Sequence, residues 1–270
     1  MNEYENLERI GIEIARKISR CPKVKAVAFI GSLATGFVDK YSKDIDLVCI
    51  CDDYPSVKER RKYLGKENYE KFASKFMEIV KRKEIQIDIV FRPVYWFESA
   101  LKLDPYDEGA ERSCLFILQN LKPIVDKENL IKKMKKKIKY SDEYKRKKIE
   151  FCFLILSNTW KINEKLIKRN DIACLGQRLF ALLERYVQII FALNKRYYSD
   201  LKWVEKFISQ FKIKPRNALS NIRKFSKLGN RKEEIKEKMK LLKQMIKELA
   251  ELVKKEVPEA KIEKFLKRIT

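Results

Sequence analysis

Three aspartates, two of them one residue apart, are the side chains whose type and spacing could do chemistry: Asp44 and Asp46 in DIDL, and Asp88 in EIQIDIVF. Side chains alternate faces along an extended strand, so Asp44 and Asp46 share a face continued by Val48 and Ile50. Ile45, Leu47, Cys49 and Cys51 form the opposite, apolar face. By the same rule Gln86, Asp88, Val90 and Arg92 share one face of a later strand, against an apolar row of Ile85, Ile87, Ile89 and Phe91. If the two strands are neighbours, three carboxylates converge. Crowded carboxylates push at least one toward protonation unless a cation relieves them. Mg²⁺ prefers oxygen ligands and is the expected relief, with Mn²⁺ as the alternative. Two such ions about 4 Å apart would clamp the attacking and leaving oxygens of an in-line phosphoryl displacement. Upstream, the apolar run VKAVAFI ends at Gly31-Ser32. Glycine lets backbone N–H groups approach a phosphate closely, and the serine hydroxyl adds a donor. The competing reading of residues 31–47 is an ordinary surface loop between strands.

Composition narrows the chemistry. The chain has 270 residues and no histidine, which excludes Ser-His-Asp and Cys-His catalysis, His-ligated zinc and an imidazole base. Six cysteines are scattered without a C-x-x-C pair, so neither a zinc site nor a disulfide framework is expected, and a reducing, cytoplasmic compartment fits best. The charged start MNEYENLERI has no apolar core of a signal peptide, and no run approaches a membrane span. Charge is divided unevenly. Residues 1–126 hold 22 Lys+Arg against 21 Asp+Glu, a net of +1, whereas residues 127–270 hold 40 against 17, a net of +23. A polyanionic partner explains that asymmetry. A Lys/Glu/Ile-rich proteome is the alternative, although it would spread the excess over both halves.

The elements that must position these residues follow from the hydrophobic pattern. Leu7, Ile10, Ile14 and Ile18 mark a helix over residues 3–20. Strands are expected in VKAVAFIGS, DIDLVCICD and EIQIDIVFRP, and a helix over residues 56–83 around Phe72, Phe76 and Ile79. A short helix at VYWFESALK, a helix over residues 106–120, and a strand and turn at LKPIVDKENL close the first half. Leu175, Leu179, Leu182, Tyr186, Ile189 and Leu193 fall at helical intervals, as do Ile235, Met239, Leu242, Ile246, Leu249 and Val253. The second set has the spacing of a coiled-coil seam, which permits a dimer, while packing within one bundle is the commoner cause. The expected fold is α+β: a small mixed-sheet domain at residues 1–126, then an all-α helical bundle at residues 127–270.

An apolar strand ending in Gly31-Ser32, eleven residues to Asp44-Ile45-Asp46-Leu47, then Asp88 in a third strand, together resemble the DNA polymerase beta-type nucleotidyltransferase superfamily. The resemblance covers roughly residues 1–126. It implies an NTP substrate, ATP among the candidates, with Asp44, Asp46 and Asp88 as both catalytic residues and ligands of two Mg²⁺ ions. It further implies that Asp88 helps activate an acceptor hydroxyl and that Gly31 and Ser32 contact the triphosphate. The segment LGQRLFALLERYVQIIFALNKRYYSDLKWVEKF resembles a branch of that superfamily in which a helical domain follows the catalytic one.

Further candidates have plainer alternatives. Lys43 is a candidate nucleotide contact or a solvated loop lysine. Arg92 is a nucleotide or acceptor contact or a salt-bridge partner. Gln177, Arg178 and Glu184 are candidates to line an acceptor or interdomain cleft, or to hydrogen-bond between helices. Nucleic acid, tRNA among the candidates, is the expected acceptor for so basic a second half, with a small molecule or a protein as the alternative. A nucleotide-binding module without chemistry is the reading from another class.

Overall fold

The computed structural model describes residues 3–70, 73–169 and 171–269. The chain divides into two compact units, Met1–Leu103 with Gly109–Lys139, and Asp104–Glu108 with Tyr140–Thr270. Against the expected boundary at residue 126, the first unit extends to Lys139.

The first unit is built on a six-stranded mixed sheet of order β3-β4-β5-β2-β1-β6. Helix α1 (Glu3–Ile18) leads into β1 (Val24–Phe29), and the short α2 (Gly31–Thr35) into β2 (Asp44–Cys51). Next come α3 (Val57–Leu64), β3 (Asn68–Tyr69), β4 (Met77–Arg82), β5 (Ile85–Pro93) and α4 (Val94–Ala100). α5 (Glu108–Ala110) runs through a π-helical turn at Glu111–Leu115 into α6 (Phe116–Asn120), then β6 (Lys122–Asp126) and α7 (Leu130–Lys137). β2 and β5 pair in parallel; the other neighbours are antiparallel.

The apolar stripe of α1 buries Leu7, Ile10, Ile14 and Ile18 against Phe29, Ile45, Leu47, Ile87, Ile89 and Phe91. Each such side chain removed from water contributes ~1.5–3 kcal/mol. That packing commits the odd-numbered residues of β2 and β5 to the core and leaves Asp44, Asp46 and Asp88 on the reverse face. The reverse face changes along its length: the aspartates are half-buried, whereas Val48 and Ile50 are fully buried.

The helix expected over residues 56–83 is shorter than its composition suggests. α3 opens on a capping box, with the Ser56 side chain accepting from Glu59 N–H and the Glu59 carboxylate accepting from Ser56 N–H. It ends at Gly65, whose φ of 80° and ψ of −152° leave the helical region. The β-branched pair in Met77–Arg82 then joins the sheet as β4, paired antiparallel with β5. Phe72 lies outside the described residues. The buried ion pair of Arg60 and Glu78, Nε to Oε2 at 3.3 Å, ties α3 to β4.

The second unit is helical: α8 (Asp142–Arg169), α9 (Ile172–Leu193), α10 (Val204–Gln210), α11 (Ala218–Lys227), α12 (Lys232–Glu256) and α13 (Glu263–Leu266). The stripes of α9 and α12 predicted from sequence are buried within this unit. The architecture is α+β as expected, a mixed sheet followed by helices. Among the described residues no helix is long and apolar enough to cross a membrane.

Candidate active site

The parallel pairing of β2 and β5 sets the site. Its register places Asp46 opposite Asp88 and Asp44 opposite Gln86, so all four side chains share one sheet face. Gln86 donates from Nε2 to Asp88 Oδ1 at 2.9 Å, fixing that carboxylate and leaving its Oδ2 for another partner. Gln86 was visible on the Asp88 face of the strand, but its role depends on a neighbour two residues away that only side-chain placement reveals.

β1 delivers Gly31 to the same place. The Ile30 N–H donates to Asp46 O at 3.0 Å, and Gly31 follows with φ of 61°. A Cβ added at Gly31 would lie 2.2 Å from Asp46 Oδ2. Glycine is therefore required twice over, by its left-handed backbone and by the carboxylate against it. The expected Gly31-Ser32 turn is the start of α2. Ser32 is nearly buried, and Thr35 Oγ1 donates to the Gly31 carbonyl at 3.0 Å. The Phe37 N–H donates to Ser32 O at 3.0 Å, closing the turn into Gly36, which has φ of 74°. Downstream, Ser42 Oγ accepts from the Asp39 N–H at 3.0 Å, and Asp39 Oδ1 accepts from the Tyr41 N–H at 3.1 Å. The loop between β1 and β2 is thus folded on itself at both ends.

Within the first unit, Lys43 and Arg92 point to other partners than the carboxylates. Lys43 is exposed and pairs with Glu84, Nζ to Oε2 at 3.5 Å. Arg92 shares the Asp88 face but sits four residues on, about 13 Å along the strand. There its guanidinium lies over Trp96 at 5.2 Å and Phe76 at 5.9 Å, and Nη1 donates to Phe91 O. In the second unit, Arg178 Nε donates to Asn163 Oδ1 at 3.0 Å and Glu184 Oε1 accepts from the Tyr198 hydroxyl at 2.9 Å. Gln177 is exposed on the same helix, α9.

No protein-family model matches the sequence, and no curated protein is significantly similar to it. Among solved structures the chain is similar to a nucleotidyltransferase-like protein from Exiguobacterium sibiricum 255-15. The identity is 10% and the TM-score 0.46, over 92% of this chain and 78% of that one. At that identity and score the likeness carries no further weight, and the chemistry rests on the site itself.

The donor set fits a hard divalent cation in kind, because every candidate ligand is a carboxylate oxygen on one sheet face. As placed, the side chains do not converge on a point. Among the described residues no three His, Cys, Asp or Glu side chains stand close enough together to hold an ion. Asp44, Asp46 and Asp88 are aligned on the sheet without being gathered around a centre.

Proposed function

We propose that the chain transfers a nucleoside monophosphate from an NTP to an acceptor hydroxyl, releasing pyrophosphate. The observation that carries this reading is the register that sets Asp46 opposite Asp88, with Asp44 on the same face and Gly31 pressed against the Asp46 carboxylate. Asp44, Asp46 and Asp88 would hold Mg²⁺ there. When bound, the metal supplies charge stabilisation for the phosphoryl oxygens. The backbone around Gly31 and Ser32 approaches the triphosphate, and a side chain at Gly31 would collide with Asp46. Asp88, oriented through Oδ1 by Gln86, takes the acceptor hydroxyl proton at Oδ2. The acceptor oxygen then bonds to the α-phosphorus as the bond to the β-phosphate oxygen breaks, and pyrophosphate leaves with that electron pair.

The acceptor we favour is a nucleic-acid 3′ hydroxyl, because the net charge of residues 127–270 is +23. A cationic small molecule is disfavoured by the same field. The alternative from another class is a nucleotide-binding module without turnover.

Transfer of α-labelled ATP, CTP, GTP and UTP in Mg²⁺ to RNA, protein and small-molecule pools tests the proposal. Label should enter one pool with the wild-type chain and none with Asp44→Asn. Mg²⁺-dependent NTP binding without transfer to any pool would favour the module instead.

A further inference from the structure

The second unit contains a cavity of about 560 Å³ that the transfer chemistry leaves unused. Its walls come from the start of α8, the end of α9 and the connection after α10. Lys145, Lys195, Arg196 and Lys212 line it against a single carboxylate, Asp142, a net of +3. Asp142 Oδ1 lies 3.0 Å from the Nζ atoms of both Lys145 and Lys195, so one acid holds two lysines in place. Burial draws the Arg196 guanidinium below its ordinary pKa.

The cavity also has an aromatic wall. Phe211 is half-buried, with its ring edge-on to Phe191 at 4.9 Å and 87°. The segment that carries it is pinned by Asn194, which accepts from the Ile213 N–H at 3.1 Å and donates to Ile213 O at 2.7 Å. Lys212, between the ring and that double hydrogen bond, is thereby kept at the rim. Cations that favour phosphate beside an aromatic ring that favours a flat base match the two chemical halves of a nucleotide.

We infer that this cavity binds a nucleotide unit of a single-stranded nucleic acid, its phosphate against Lys195, Arg196 and Lys212 and its base against Phe211. A free nucleotide shares that chemistry. The strand is the better occupant because residues 127–270 together carry a net charge of +23, more than one nucleotide would need. The inference extends the nucleic-acid acceptor reading above, and as a binding site it does not depend on turnover.

The test is fluorescence anisotropy of a labelled short oligouridylate with the full-length protein. Lys195→Gln with Lys212→Gln should weaken binding about tenfold. Lys236→Gln with Lys240→Gln removes the same charge from two exposed positions of α12 and should cost less than about twofold. Phe211→Leu should lose about tenfold while melting as a folded protein. Asp44→Asn should bind as the wild type does, so a failed transfer reading leaves this result standing. Equal losses for the two lysine pairs, undiminished binding by the Phe211 variant, or no binding by the wild type would overturn the site. Displacement of the oligonucleotide by equimolar AMP would assign the cavity to a free nucleotide and overturn the strand.

Discussion

Asp46 and Asp88 face each other directly across the parallel pairing of β2 and β5, two like charges at one register position. Directly opposed like charges destabilise a sheet. A bound cation reverses the sign of that contribution. The wild type should therefore gain thermal stability with Mg²⁺, by about 2.7 kcal/mol at a concentration one hundred times Kd. Asp88→Asn keeps an acceptor for Gln86 but removes one charge, so it should melt higher than the wild type without metal and respond less to Mg²⁺. Parallel metal responses in the two proteins would remove the carboxylates from any metal site.

Gly31 and Gly36 separate a steric constraint against Asp46 from a purely conformational one. Both have positive φ, 61° and 74°, but an added Cβ meets Asp46 Oδ2 at 2.2 Å in the first case and nothing within 4 Å in the second. Each alanine variant should lose ~1–2 kcal/mol from left-handed backbone strain. Only Gly31→Ala should displace the Asp46 carboxylate and abolish transfer. Equal activity in the two variants, measured at matched folded fraction, would contradict the site.

The strands of the site were legible because period-two alternation in DIDLVCIC and IQIDIVF leaves a single choice of faces, and the core under α1 enforces it. The pairing partner was less legible. Nothing in either strand says that β2 and β5 run parallel and adjacent, and it is that register which puts the three carboxylates on one face. The helix expected over residues 56–83 failed because charged positions around Ile79 read as amphipathic, while Gly65 and the β-branched pair Ile79-Val80 decided for a strand. The inward arrangement of Gln86 on Asp88 required side-chain geometry that no spacing encodes.

The Arg60–Glu78 pair holds α3 against β4, the strand that flanks β5. Both side chains are 0% exposed, and Arg61 Nη2 also reaches Glu78 Oε1 at 2.8 Å. Arg60 further donates to Ser74 O at 2.9 Å and stacks over Phe91 at 4.9 Å. Glu78→Ala leaves a buried guanidinium without its carboxylate and should cost about 3–5 kcal/mol in urea unfolding. Replacing both partners with apolar residues of similar volume should recover much of that loss. A double variant no more stable than Glu78→Ala would show that the helix, and not the stranded charge, is what the pair protects.

Acid should loosen the same edge of the sheet through Arg82. Its guanidinium donates to both oxygens of Glu13, at 2.8 and 2.9 Å, and from Nε to Glu67 Oε2 at 2.9 Å. The Arg82 hydrogen bonds, helped by Lys17, hold the Glu13 carboxyl down at about 2 from an ordinary 4.5, and Glu67 is lowered by the same two partners. A depressed folded-state pKa stabilises the fold fully above the unfolded value and is lost as pH falls through the folded one. The window is therefore from about pH 4.5 down to about pH 2. Glu13 is 45% exposed, so solvent screening reduces its share to about 1 kcal/mol. Melting temperature should fall across that window in the wild type, and Glu13→Gln should flatten part of the slope while leaving the profile above pH 5 lower but parallel. Superimposable slopes would place the acid sensitivity elsewhere, because β4 is joined to α1 here through a carboxylate that must stay charged to hold it.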